Sequence, residues 1–418
     1  MNNSQQAPIK INSRQYVWPK QPLVVVCIDG SEPEYIDQAI AADRMPFTEL
    51  ARQRGENLFA QSVVPSFTNP NNLSIVTGVP PQVHGICGNF YYDRANDCEV
   101  MMNDPDLLRA DTLLQAFHSK GAKVVVITAK DKLRRLLGHG LEFGPQGAIC
   151  FSAEHADQAN YDDNGIENVI ETVGLPLPNV YSADLSEFIF AAAVKIMEQQ
   201  SPDIMYLSTT DYIQHIHAPG SEVANQFYAM MDGYWAELDR QGATLALTAD
   251  HGMNAKHDAA GNPNVVYLQD VLDKLLGEGI ARVILPITDP YVLHHGALGS
   301  YATVYLPDQV DIVDITTKLK QTNGLTEILT RSIACERFQL PEDRVGELVL
   351  VSDRNTVIGT SVDRHDLSAL TAPLRSHGGV ADRNVPMIIS QPVSEIPKEK
   401  QLYNYDVFDI ALNYTVAI

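Results

Sequence analysis

Two textures alternate along most of the chain: short, continuous apolar runs that end in a polar residue or glycine, and longer stretches with apolar positions at helical spacing. The first run, PLVVVCIDG, is unbroken through Ile28 and then reaches Asp29 and Gly30. A run of strand length with no alternation suits a strand buried on both faces of a sheet. The same grammar recurs in AKVVVITAK (122–130), DIMYLSTTD (203–211), ATLALTAD (243–250) and VPMIIS (385–390), with helical segments such as DTLLQAFHSKG between them. Strands alternating with helices predict an α/β fold: a mostly parallel central sheet with helices on both faces. Ligands of such sheets sit outside the carboxyl ends of the strands. Asp29, Lys130, Asp211 and Asp250 all fall at such ends.

Between residues 258 and 374 the strand-like runs VILPI, YATVYLP and GELVLVSD are separated by amphipathic stretches. This segment reads as an inserted, smaller α+β cap, with residues 21–257 and 375–418 forming the core. Residues 1–20 are polar and aperiodic up to Trp18-Pro19 and read as an extended arm on the domain surface. The length of 418 residues fits one large domain with an insertion, because single cores stop growing at roughly 250–300 residues.

A composition of 45% hydrophobic and 20% charged residues excludes disordered and fibrous classes. The formal charge of −22 argues against nucleic acid or an anionic membrane as partner, since both need a basic footprint. It also means that an anionic substrate would need concentrated local positive charge, which metal ions supply. The five cysteines, Cys27, Cys87, Cys98, Cys150 and Cys335, are dispersed and never spaced as CxxC. Neither a disulfide framework nor a thiolate zinc site is indicated, and buried thiols are expected. The first 20 residues hold no apolar stretch of signal-peptide length, and no run reaches the ~18 apolar residues of a membrane span, so a cytoplasmic location is expected.

Candidate chemistry sits in a few short segments. Asp29 follows a strand, where an Asp serves equally as a helix cap or turn residue. Thr68 precedes the helix-compatible stretch NPNNLSIVTG, so its hydroxyl would feel the positive end of a helix dipole, or would simply cap the helix. Asp211 and His215 are four apart and share one face if the strand hands over to a helix, a spacing suited to one metal ion. His217 would point away from that face. Asp250 and His251 are adjacent, so their joint use requires an irregular backbone, for which Gly252 provides freedom. His377 lies beside two glycines before the last core strand. His84 reads as structural, at the end of the helix that Thr68 begins. His257 has an exposed loop context, the pair His294-His295 lacks carboxylates at ligand spacing, and neither receives a metal role.

In the order Asp29, Thr68, Asp211, His215, Asp250, His251, His377, these residues resemble the alkaline phosphatase superfamily, in its branch of nucleotide pyrophosphatase/phosphodiesterases and phosphonoacetate hydrolases. The resemblance covers roughly residues 20–257 and 375–400. It implies two zinc ions, one held by Asp211, His215 and His377, the other by Asp29, Thr68, Asp250 and His251, with Thr68 as the nucleophile. Two such ions can clamp the attacking and receiving oxygens of an in-line displacement at phosphorus.

The substrate must be read outside the ligand set. Lys130 and Lys132 flank Asp131 at the ligand-bearing edge; in phosphonoacetate hydrolases lysines at the matching place hold the substrate carboxylate. Alternatively they open a solvated basic stretch running on through Arg134 and Arg135. Asn89 resembles the asparagine that donates to a phosphoryl oxygen, or is a turn residue. The implied activity is hydrolysis of the carbon–phosphorus bond of phosphonoacetate. A phosphodiesterase or nucleotide pyrophosphatase on the same metal core is the alternative, and a non-enzymatic metal-binding module a third reading. The expected partner is a small anionic phosphonate, with a homodimer left open.

Overall fold

A computed structural model describes residues 6–288, 297–368, 370–397 and 399–416. Its centre is a seven-stranded sheet. In chain order the strands are β1 (Leu23–Cys27), β2 (Glu56–Gln61), β3 (Val124–Thr128), β4 (Ile149–Ser152), β5 (Ile204–Ser208), β6 (Thr244–Thr248) and β7 (Asn384–Ile389). They lie side by side as β2-β7-β6-β1-β5-β3-β4. From β6 to β4 every pairing is parallel. β7, which reads like the parallel strands, instead runs antiparallel to both β6 and β2. Its apolar run encodes burial and says nothing about direction.

β1 shows why the continuous runs form the centre. All five of its residues are buried. Leu23, Val25 and Cys27 enter one apolar core, while Val24 and Val26 enter the other. Side chains alternate faces along a strand, so a strand covered on both sides must be apolar at every position. The helices that cover it are α1 (Pro33–Ala41), α2 (Thr68–Thr77), α3 (Asp131–Leu137), α4 (Asp184–Gln200), α5 (Tyr212–Ile216) and α6 (Glu222–Arg240). On one face α4 and α6 bury Phe188, Phe190, Tyr228 and Trp235. On the other, α2 contributes Leu73, Ile75 and Val76.

The apolar core on the α2 side continues into a second, four-stranded antiparallel sheet, through Val304, Leu348 and Leu350. Its strands are ordered Arg282–Ile284, Tyr301–Tyr305, Leu348–Ser352 and Leu325–Thr330. The N-terminal arm differs from the sequence expectation. Ile9–Ile11 and Arg14–Tyr16 pair as a hairpin, Tyr16 and Trp18 are buried, and the Trp18 ring meets Phe117 edge-on at 5.5 Å. Four cysteines are buried as expected, whereas Cys98 is exposed. Among the described residues no helix is long and apolar enough to cross a membrane.

One ion pair fastens the second sheet's segment to the core. Lys256 is fully buried, and its Nζ donates to the carbonyl of Arg354 at 2.9 Å and to Asp382 Oδ1 at 3.3 Å. Asp382 also accepts from Asn254 Nδ2 (2.5 Å) and from the Gly379 amide (2.9 Å). Burial pulls the Lys256 ammonium below its ordinary pKa, and Asp382 works against that shift. Lys256→Met would leave the carboxylate buried without its cation, which costs about 3–5 kcal/mol. Urea unfolding should show that loss, and adding Asp382→Asn to the same chain should recover part of it.

Candidate two-metal active site

Several strands of the central sheet deliver a polar residue to one place as they end. β1 leads to Asp29, β3 to Lys130, β5 to Asp211 and β6 to Asp250 and His251. Gly30 makes the first approach possible. It sits at φ +71°, and a Cβ there would lie 3.0 Å from Asp211 Cβ. His377 arrives on the loop ahead of β7, next to Gly378 at φ +120°, where a Cβ would come within 2.3 Å of the Phe67 ring. Phe67 is the residue before Thr68, so this contact sets the His377 loop against the start of α2.

Asp29, Asp211, His215, Asp250, His251 and His377 are all buried. Asp211 Oδ2 lies 2.8 Å from His215 Nε2 and 3.8 Å from His377 Nε2. His251 Nε2 lies 3.3 Å from Asp29 Oδ1 and 3.6 Å from Asp250 Oδ2. The rings of His251 and His377 stack with centroids 3.5 Å apart. Potential ligand atoms of Asp29, Asp250 and His251 fall within 4.8 Å of one another, as do those of Asp211, His251 and His377. Thus His251 is within reach of both groups, and His215 joins the second through Asp211.

Two observations fit this cluster to metal ions. Each imidazole turns Nδ1 toward a main-chain carbonyl: His215 to Arg375 (2.8 Å), His251 to Gly252 (3.0 Å) and His377 to Ser66 (2.8 Å). A carbonyl only accepts, so Nδ1 carries a proton in each ring and Nε2 is the nitrogen turned toward the site, which in His215 would have to give up its contact with Asp211 as a proton donor before ligating a metal. In addition, Asp29 Oδ1 and His251 Nε2 are buried with no hydrogen-bond partner. Oxygen and nitrogen donors of this kind suit zinc, and equally manganese or iron.

The electrostatics agree. Burial, then the negative charges of Asp211 and Asp250, push the Asp29 carboxyl far above its usual range. Asp250 is raised to about 7 by burial and then by Asp211. Burial pushes Asp211 up as well, but the His215 ring and Lys130 outweigh it and hold that carboxyl low. Burial, with the His251 and His215 rings beside it, holds His377 well below its ordinary pKa. This is a neutral imidazole ready to ligate.

Asp250 and His251 converge without the backbone freedom expected of Gly252, which is not among the left-handed glycines. The carboxylate folds back instead. Its Oδ1 accepts from the amides of His251 (3.0 Å) and Gly30 (3.2 Å). Gly252 supplies space, since a Cβ there would lie 3.3 Å from both the Asp382 carbonyl and Glu32 Cβ.

Thr68 opens α2 at its first helical position. Phe67 is the N-cap, no side chain makes a capping bond, and the Thr68 hydroxyl is therefore not used as a cap. It lines one cavity together with Asp29, Asp211, His377, Asn89, Lys130 and Lys132. Arg134 turns away from this cavity to pair with Asp131 at 2.5 Å, so the basic stretch divides. Asn89 is anchored by its amide to the Pro286 carbonyl (2.7 Å), and its Oδ1 is buried without a partner. His84 is not part of α2; it closes a separate turn, Pro81–His84, and bonds Ser74 Oγ at 2.9 Å. His217 caps α5, and its carbonyl accepts from Tyr35. The His257 ring turns Nδ1 to the Asp258 carbonyl at 2.8 Å. His294 and His295 lie outside the described residues.

Sequence reasoning missed Asn69, Met101, Asn103, Thr209, Thr210 and Ile287, which also line the cavity. Asn69 and the two threonines adjoin motif residues and were within reach of a closer reading. Met101 and Asn103 come from a hairpin, and Ile287 from the segment leading to the second sheet, with no local signature. Asn72 was missed too. Its Nδ2 donates to the Thr68 carbonyl (3.1 Å) and Asp250 Oδ2 (3.3 Å), while its Oδ1 accepts from Tyr206 and Ser208.

The chain matches the type I phosphodiesterase / nucleotide pyrophosphatase family over residues 23–379 and belongs to that family, a branch of the alkaline phosphatase superfamily. Within that class it is a hydrolase. It is similar to the phosphonoacetate hydrolase of Sinorhizobium meliloti 1021, whose crystal structures hold phosphonoacetate or phosphonoformate. The identity is 55%, with 98% of this chain and 99% of that one covered and a TM-score of 0.95. Murine ectonucleotide pyrophosphatase/phosphodiesterase 5 shares the fold, with a TM-score of 0.63 at 17% identity over 95% of this chain and 96% of that one. An ectonucleotide pyrophosphatase/phosphodiesterase of Caenorhabditis elegans is 23% identical over 84% of this chain. The chain spans only 38% of that relative's length.

The pKa pattern makes metal uptake pH-dependent. Asp250, raised to about 7, carries its proton in the metal-free chain below that pH, and burial pushes Asp29 in the same direction, so an incoming cation would have to displace protons. Calorimetric zinc titration of apoprotein in buffers of different ionisation enthalpy should therefore give weaker binding and more protons released at pH 6 than at pH 8.5. Equal proton release at both values would remove Asp250 from the ligand set.

Proposed function

We propose that this hydrolase cleaves the carbon–phosphorus bond of phosphonoacetate, giving acetate and phosphate. The observation that carries the reading is one cavity shared by a nucleophile, a ligand cluster and two lysines: Thr68, then Asp29, Asp211 and His377, then Lys130 and Lys132. The relative at 55% identity, crystallised with phosphonoacetate, supports the same substrate.

In this proposal Asp29, Thr68, Asp250 and His251 hold one zinc ion, and Asp211, His215 and His377 hold a second. Bound there, two zinc ions would lower the pKa of the Thr68 hydroxyl and polarise the phosphoryl oxygens. Thr68 gives its hydroxyl proton to water, from which the departing acetate carbon later takes one back, and Oγ1 attacks phosphorus. The start of α2 adds the positive end of a ten-residue helix. Asn89 donates to a phosphoryl oxygen. The C–P bond breaks with its electron pair passing to the acetate methylene and on to the carboxylate oxygens, where Lys130 and Lys132 stabilise the growing charge. A proton completes acetate, and one water then hydrolyses the phosphothreonine.

A nucleotide phosphodiesterase reading is weaker. Sequence-tolerant recognition of a base relies on stacking against an aromatic face, and among the described residues the cavity lining contains no Phe, Tyr or Trp.

Thr68→Ala should lower turnover of phosphonoacetate by at least ~10⁴-fold while zinc content by metal analysis stays near that of the parent. Near-parental rates would remove Thr68 as nucleophile. Lys130→Ala or Lys132→Ala should cost ~10²-fold or more with phosphonoacetate and far less with a nitrophenyl phosphate ester. Equal losses on both substrates would reassign the lysines to the phosphoryl group.

A further inference from the structure

Thr68 aside, the ligand side chains come from four separate stretches of chain, so their register must be held by groups outside the ligand set. We propose that Arg375 is the positioning residue that locks these stretches together, an inference that rests on the two-metal reading above. Its side chain is buried. Nε donates to the carbonyl of Gln214 at 2.8 Å, and Nη2 donates to the carbonyl of Met253 and to Tyr35 Oη, both at 3.1 Å. Its own carbonyl accepts from His215 Nδ1 at 2.8 Å.

Each of these partners belongs to a different ligand stretch. Gln214 directly precedes His215, and Met253 stands two residues after His251. Tyr35 lies in α1, the helix that follows the Asp29 turn, and Arg375 itself stands two residues before His377. The Tyr35 hydroxyl passes the link on by donating to the His217 carbonyl at 2.7 Å. Its ring stacks on Tyr228 at 5.4 Å, and Tyr228 in turn reaches Ser31 Oγ (2.7 Å) and Gln214 Nε2 (3.1 Å). One guanidinium thus ties three of these stretches to its own.

Arginine is the side chain this task requires. Its planar fork sends donors in fixed, divergent directions, whereas a lysine ammonium offers a single rotatable point. The charge itself works the other way, since a cation near the site opposes the binding of divalent ions. Geometry and charge therefore predict opposite signs when Arg375 is replaced. Loss of positioning weakens zinc binding, and loss of charge alone tightens it.

The test uses the full chain carrying Arg375→Lys, Arg375→Met or Tyr35→Phe, stripped of metal and titrated with zinc against a chromophoric chelator. Loss of an outer hydrogen-bonding partner of a ligand typically costs 10–100-fold in metal affinity. Both Arg375 variants should raise the dissociation constant of at least one of the two zinc ions by ~10-fold or more, with turnover rising again as zinc is increased. Tyr35→Phe removes one hydroxyl and leaves the packing, so it should give a smaller shift in the same direction and decides the matter if the Arg375 variants do not fold. Unchanged zinc affinity in folded Arg375→Lys, tighter binding in Arg375→Met, or no shift in Tyr35→Phe would each overturn the positioning role. Fewer than two zinc ions on the parent chain would instead overturn the two-metal reading itself.

Discussion

Three carboxylates, Asp29, Asp211 and Asp250, are buried side by side at the carboxyl ends of adjacent parallel strands, and their mutual repulsion is the constraint around which the site is built. Burial alone disfavours each charge, and proximity adds to the penalty. The rest of the arrangement answers that penalty. The His215 ring faces Asp211, main-chain amides face Asp250, and three imidazoles each carry a proton on Nδ1 with Nε2 turned inward. A site that concentrates negative charge and neutral nitrogen donors is selective for small multivalent cations.

The same arrangement reconciles an acidic chain with an anionic substrate. A formal charge of −22 sets an unfavourable overall field, but most of it is screened over the ~8 Å Debye length of physiological salt. Inside the cavity the local groups dominate: Lys130, Lys132, the start of α2 and any cations held by the proposed ligand set. The apolar wall of Met101, Leu133 and Ile287 lowers the local dielectric, so each of these charges acts more strongly there than it would in water.

The strands that carry the site were legible because burial on both faces leaves a clear mark: LVVVC in β1 is apolar throughout, and VVVIT in β3 is apolar up to its last residue, Thr128. The direction of β7 was not, because an antiparallel neighbour buries the same side chains. The hairpin of the N-terminal arm was hidden for a different reason. Among the described residues of that stretch only Ile9, Tyr16, Trp18 and Pro19 are buried, too few to set a period.

In the site, Asp29, Thr68, Asp211, His215, Asp250, His251 and His377 stood out as candidates at strand ends, a helix start and a glycine-flanked loop, and it was their order and the family resemblance that joined them into one proposed ligand set. Arg375, Asn72 and Ile287 could not. Arg375 resembles any basic residue ahead of a turn until the chain brings Gln214, Met253 and Tyr35 to its guanidinium. The sequence by itself determined the central sheet and which residues stand at its active edge, since both follow from short-range patterns. Only the tertiary structure decided which of those residues meet, that His251 stands between the two ligand groups, and what holds the four stretches in register. Those are contacts between positions as much as 340 residues apart, and no local pattern encodes them.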